Sequence, residues 1–185
     1  MPKAVYRECY VDSRTEDTVT VGGIVLKSRV LRVNMEQAHR AFAFLATCGA
    51  ELEAWARSLD DMLEQYWATV LMEMALYQAR QYLNARLGEV LPLDKSVVMN
   101  PGSLADWPIQ QQRPLFNLIG SASDAIGVRL TESLLMTPAK SVSGIRFPTE
   151  AHFESCQLCP REGCPGRRAP YDRELYHRKY ARSES

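Results

Sequence analysis

The segment from Gly127 to Phe147, GVRLTESLLMTPAKSVSGIRF, alternates apolar and small polar residues and is punctuated by Pro138. Side chains of a strand point alternately to opposite faces, so the pattern reads as two strands facing one site or one partner. Upstream, VVMNPGSLADWP sets the turn chemistry of Pro101-Gly102 and Asp106-Trp107-Pro108 between a β-branched pair and a helix-forming stretch. Downstream, CQLCPREGC places Cys156, Cys159 and Cys164 close together, the densest group of metal-ligating side chains in the chain. Chemistry is therefore expected between Val97 and Cys164.

The rest of the chain supplies elements to pack around that stretch. Tyr6–Val11 reads as an edge strand or an ordered arm. Gly22-Gly23 is a turn signal inside an apolar run, which predicts a β-hairpin of TVTV followed by GIVLKSRVL. Asn34 before Met35-Glu36-Gln37-Ala38 predicts a capped helical turn. AFAFLATCG (41–49) has the length of a buried strand, although periodicity alone leaves a helix open. Leu52, Trp55, Ala56 and Leu59 recur at helical spacing. Asp61-x-x-Glu64 resembles a capping box and opens the longest helix, with Gly88 at its end. Leu63, Tyr66, Trp67, Val70, Leu71, Met74 and Ala75 form one wide apolar face there. Met62, Met72, Leu76 and Tyr77 lie off it, so burial on more than one side is predicted. Ser96–Met99 reads as a short strand, and Ile109–Ile119 as a helix with Pro108 near its start and a disturbance at Pro114. Ser121 to Asp124 reads as loop. The result is an α+β fold, helices packed on a modest, mainly antiparallel sheet. Residues 1–155 form the domain, and 156–185 a cysteine loop with a basic tail.

Charge narrows the function classes. The chain has 22 Lys and Arg against 22 Asp and Glu, so no net field recommends nucleic acid or an anionic membrane as partner. The N-terminus lacks an apolar leader pattern and no stretch approaches a membrane span, which predicts a cytoplasmic location. Reducing surroundings favour thiols and metal sites over disulfides. Cys156-x2-Cys159-x4-Cys164, bounded by Pro160, Gly163, Pro165 and Gly166, can fold back so that thiolates converge on a metal. Three thiols are one ligand short of a closed zinc site, and His152 is a candidate fourth. An iron–sulfur cluster with another ligand on its remaining iron is the alternative. Cys48 reads as a buried small hydrophobe. Absence of a Ser-His-Asp set, a phosphate loop or a dinucleotide fingerprint leaves hydrolase, kinase and dehydrogenase readings without support, and no complete catalytic motif is present.

Over roughly residues 20–155 the sequence resembles the activation (reactivation) domain of cobalamin-dependent methionine synthase. Leu130-Thr131-Glu132-Ser133, Met136, Pro138 and Ser141-Val142-Ser143-Gly144 carry the resemblance, in register with Pro101-Gly102 and the following helix. It implies a curved domain with a twisted antiparallel sheet that binds S-adenosylmethionine (AdoMet) and docks on a cobalamin-carrying module, where cob(II)alamin is reduced by one electron and remethylated. No corrinoid-binding motif is present, so the resemblance implies an accessory protein whose partners are a corrinoid-binding protein or methyltransferase and an electron donor. Pro101, Gly102, Ser103, Asp106, Glu132, Ser141 and Ser143 are the implied ligand- or corrinoid-facing residues. The chain departs from the family's Arg-x-x-x-Gly-Tyr motif: Val98 stands at the arginine position and Ser103 at the tyrosine position, with one residue inserted before Asp106. Phe153-Glu154 stands where the family carries a tyrosine pair. Valine supplies none of a guanidinium's donors, so weak AdoMet binding is predicted. The alternative function is a corrinoid-protein docking or chaperone module that no longer binds AdoMet.

Overall fold

In the computed structural model, which describes residues 1–150 and 152–181, six antiparallel strands form the main sheet in the order β3-β2-β1-β4-β8-β5. These are β1 (Lys3–Arg14), β2 (Thr18–Val21), β3 (Ile24–Lys27), β4 (Arg40–Thr47), β5 (Ser96–Met99) and β8 (Ser141–Pro148). A two-stranded ribbon, β6 (Arg129–Leu130) with β7 (Met136–Thr137), precedes β8. The expected pair of strands between Gly127 and Phe147 is thus a small ribbon plus a central strand of the main sheet. β1 changes neighbours along its length: Lys3 to Tyr10 pair with β4, and β2 pairs only with Val11, Ser13 and Arg14, so most of the Tyr6–Val11 stretch has a strand partner on one side.

Both faces of the sheet centre are covered, which explains why β4 reads as a continuous apolar run. Ala41, Ala43 and Leu45 join Val97, Met99, Ile145 and Phe147 on one face, beneath Trp107 and helix α4 (Gln112–Ile119). Phe42 and Phe44 point the other way, against Leu83, Leu87 and Leu91. β8 is the hinge of this arrangement. It pairs Phe44 with Gly144 on one side and Met99 with Ile145 on the other. A Cβ on Gly144 would lie 2.5 Å from Asn100 Nδ2 and 2.7 Å from both the Met99 carbonyl oxygen and Phe44 Cζ. The glycine of the SVSG element is therefore a requirement of close approach, and it lets Asn100 Nδ2 donate to the Ser143 carbonyl at 2.7 Å.

Several local expectations are corrected. Arg29–Asn34 is a helix, α1, and not the end of a hairpin strand, because Ser28 caps it by accepting from Leu31 N at 2.9 Å. Asn34 lies inside α1 and does not cap a new helix; Met35 is the C-terminal cap, and a single turn follows it, closed by Ala38 N donating to the Met35 carbonyl at 3.0 Å. Pro114 leaves α4 undisturbed because it falls in the first turn, where its missing N–H has no intrahelical acceptor. A further short helix, α5, covers Ala122–Ala125, where a loop was expected.

The expectation for the longest helix is corrected on one point that bears on function. Helix α2 covers Ala50–Arg57 and α3 Met62–Gly88, the latter capped by Asp61, which accepts from Leu63 N and Glu64 N. At 1.5 Å per residue α3, with 27 residues, is about 40 Å long. Its buried residues are Ala68, Met72, Ala79, Leu83 and Leu87. Leu63, Tyr66, Trp67, Leu71, Met74 and Tyr77 are exposed, as is Trp55 of α2. The apolar stripe is real, yet most of it faces outward. Among the described residues no helix is long and apolar enough to cross a membrane.

Gly144→Ala forces a methyl group into the Asn100 side-chain amide, the Met99 carbonyl and the Phe44 ring. Urea unfolding is expected to show a loss of about 3 kcal/mol, against a near-neutral effect of the same change at solvent-open Gly166.

Candidate functional site

A cavity of about 640 Å³ opens on the Phe44 face of the sheet. Its floor is apolar: Phe44 from β4, Val98 from β5, Val142 from β8, and Leu83 and Leu87 from α3. The turn after β5 forms one side. There Gly102 N donates to the Trp107 carbonyl at 2.8 Å, and Ser103 N and Oγ both donate to the Asn100 carbonyl, at 3.2 and 2.6 Å. Gly102 has φ +82°, and a Cβ would meet Ile109 Cδ1 at 3.0 Å, so the turn needs glycine there. The cysteine loop forms the opposite wall, contributing Ser155, Cys156, Cys159, Arg161, Cys164 and Arg168.

That loop is organised around a guanidinium. Arg167 donates to the carbonyl oxygens of Cys156 (3.1 Å), Cys159 (3.2 Å), Ala169 (3.3 Å) and Arg161. Behind it the chain is tied down by Tyr180, whose side chain is buried and whose hydroxyl donates to Asn34 Oδ1 at 3.1 Å. Burial pushes that phenol up to about 12. Residues 156–181 are thus fastened to the main domain, with Phe153 and Tyr180 meeting ring-edge to ring.

The three thiols share one wall without gathering to a point. Among the described residues no three Cys, His, Asp or Glu side chains are grouped so as to hold a metal ion. Cys156 Sγ instead accepts from Arg168 N at 3.4 Å, and that N–H, with the Arg168 charge, holds its thiol below the ordinary value. His152 lines a separate cavity with Leu93, Asp94 and Phe153. Cys9 and Cys48 are buried elsewhere, and burial raises both thiols.

The other residues singled out from sequence divide among several places. Gly102 and Ser103 line the cavity, and Pro101 is buried in the same turn. Asp106 faces away from it: its carboxylate accepts from Ser28 Oγ and from Val30 N at 3.0 Å, fixing the start of α1. Ser143 is buried on the opposite sheet face, donating to Gln112 Oε1 at 3.1 Å. Ser141 Oγ donates to Thr47 Oγ1 and to the Pro138 carbonyl. Glu132 is exposed at the ribbon turn, its carbonyl accepting from Arg113.

Sequence reasoning missed the cations. Arg80, Arg146, Arg161 and Arg168 all line the cavity, and Arg146 stands directly across the β5–β8 pair from Val98. The signal was available: in SVSGIRFP, position 146 shares a face with Val142, so a cation interrupts an inward-facing row.

Residues 99–158 match the family model described as vitamin B12 dependent methionine synthase, activation domain. A crystal structure of the MetH reactivation domain bound to AdoHcy superposes with a TM-score of 0.60, at 18% identity, covering 83% of this chain and 61% of that one. The fold is that of the methionine synthase reactivation domain. No curated protein sequence matches the chain. The activation-domain match spans the Gly102 turn, the LTES and SVSG elements and Cys156, and stops before Cys159 and Cys164. The chain spans 61% of the length of the MetH structure, and the α+β, antiparallel architecture agrees with that expected from sequence.

Alkylation rates resolved by residue check the electrostatics of the wall. The thiolate is the nucleophile, so a lowered Cys156 should react with iodoacetamide from a lower pH than an ordinary free cysteine does. Cys9 and Cys48 should stay unmodified until the protein unfolds.

Proposed function

We propose that this protein is an accessory factor for the reductive reactivation of a corrinoid-dependent methyltransferase. The observation that carries the reading is the composition of the cavity wall. Gly102 and Ser103, Val142 and the start of the cysteine loop, all from the segment that matches the activation-domain model, meet around one opening. An S-adenosyl ligand is the proposed occupant, on the strength of the AdoHcy in the MetH structure. A cob(II)alamin carried by a partner would receive one electron from a donor, and the resulting cob(I)alamin would take the methyl group of AdoMet, breaking its S–CH3 bond to give methylcobalamin and AdoHcy. The outward apolar face of α3 supports association with a macromolecular partner, since soluble monomers rarely leave such a surface uncovered.

The test mixes the protein with a candidate corrinoid protein in its cob(II)alamin state, a one-electron donor and AdoMet under anaerobic conditions. The cob(II)alamin absorption is expected to decay faster with the protein than without it. Equal decay overturns the reactivation reading. Tight binding with equal decay would favour the docking or chaperone alternative, which Val98 and Ser103 at the arginine and tyrosine positions support.

The cysteine loop extends the proposal. Its thiols suit zinc or an iron–sulfur cluster in kind, and gathering them requires the loop to rearrange. Anaerobically purified protein is expected to carry near-stoichiometric zinc or iron, most of it lost in Cys159→Ser. Metal-free wild-type protein would remove the metal from the proposal and leave the remainder standing.

A further inference from the structure

Arg146 is placed where an arginine is costly. Its Nε is fully buried without a hydrogen-bond partner, and its two terminal nitrogens reach neutral acceptors, Ser96 Oγ at 2.8 Å and Asn84 Oδ1 at 3.3 Å. Glu154, the acid nearest in effect, is paired with Arg168 at 2.9 Å. Burial pulls Arg146 below its ordinary value, and the neighbouring Arg168 and Arg80 charges pull in the same direction. A second group in the same cavity is also unsatisfied. Ser155 is 8% exposed, and its Oγ is buried with no partner. Burying a cation without a counter-charge, or a hydroxyl without an acceptor, each costs free energy that an anion bound to both would recover.

We propose that Arg146 and Ser155, with Arg80 and Arg168 at the rim, bind the acidic group of an organic anion whose uncharged part lies on the Phe44, Val98 and Val142 floor. This deepens the reading of the cavity as a ligand site and rests on it. Arg146 supplies a planar fork with spare donors, and Ser155 one hydroxyl donor, a set that suits a carboxylate or a phosphate oxygen pair. The apolar floor is what selects an organic anion over a free inorganic one. Val98, opposite Arg146 in the strand pair, leaves room for that body and places the charge on β8 alone.

Calorimetry with three probes separates the sources of the anion. AdoHcy carries a carboxylate, 5′-methylthioadenosine lacks the amino-acid group, and inorganic phosphate lacks the organic body. Wild-type protein is expected to bind AdoHcy at least roughly tenfold more tightly than methylthioadenosine. Arg146→Met and Ser155→Ala should each shrink that difference and leave methylthioadenosine unchanged. Arg146→Lys keeps the charge without the fork and should fall between, which serves if the Met variant folds poorly. Thermal melts identify such a failure. Phosphate binding that depends on Arg146 while neither nucleoside binds would support the anion site and overturn its S-adenosyl occupant. Wild-type affinities for AdoHcy and phosphate that are undetectable, or unchanged in folded Arg146→Met and Arg146→Lys, overturn the proposal.

Discussion

The close approach of three strands at Gly144 fixes everything downstream of it. β8 pairs with β4 and β5 at once, and the space beside its glycine is taken by an amide, a carbonyl and a ring edge. Because strand side chains alternate, that register decides which residues face which layer. Ser143, Ile145 and Phe147 are committed to the α4 face, and Val142 and Arg146 to the α3 face. A slip of one residue would bury Arg146 in the larger core and turn Phe147 into the cavity. The polar serines of the SVSG element therefore serve different ends: Ser143 satisfies Gln112 inside the protein, and Ser141 ties β8 to β4 through Thr47.

The same register concentrates positive charge. The chain is neutral overall, yet one cavity collects arginines from α3, from β8 and from the cysteine loop. Net charge is a poor guide here because Glu154, paired with Arg168, offsets only part of the charge that these arginines gather in one place. Lysine would be a weak substitute at position 146, since its single ammonium could not serve Ser96, Asn84 and a ligand in one plane.

How much of this was legible in the sequence depended on distance along the chain. Signals that act locally were read correctly: the Asp61 cap, the buried strand expected within 41–49 and found at Arg40–Thr47, and the α+β class. The family resemblance was legible because its motif residues are contiguous, and the match over 99–158 bears it out. Features set by partners far off were not. The strand expected at Val30-Leu31 is a helix because Asp106, remote in sequence, joins Ser28 in holding its first N–H groups. Periodicity revealed the α3 stripe, but Leu63, Trp67 and Met74 point away from the sheet, and no pattern in one helix says which side a domain will cover. The arginine cavity draws on positions 80, 146 and 168, whose meeting only the fold discloses.

The contact between Phe153 and Tyr180 has a consequence for how the cysteine loop can vary. Their rings meet edge-on at 6.0 Å, so the segment between them leaves the domain and returns to it at nearly the same place. Closure entropy grows only with the logarithm of loop length, about 0.6 kcal/mol for each doubling. With the ends already clasped, insertions, deletions or a new arrangement of thiols draw on the loop's own conformations and leave the sheet register untouched. The loop is in that sense a cassette, able to change its chemistry faster than the scaffold on which it is mounted.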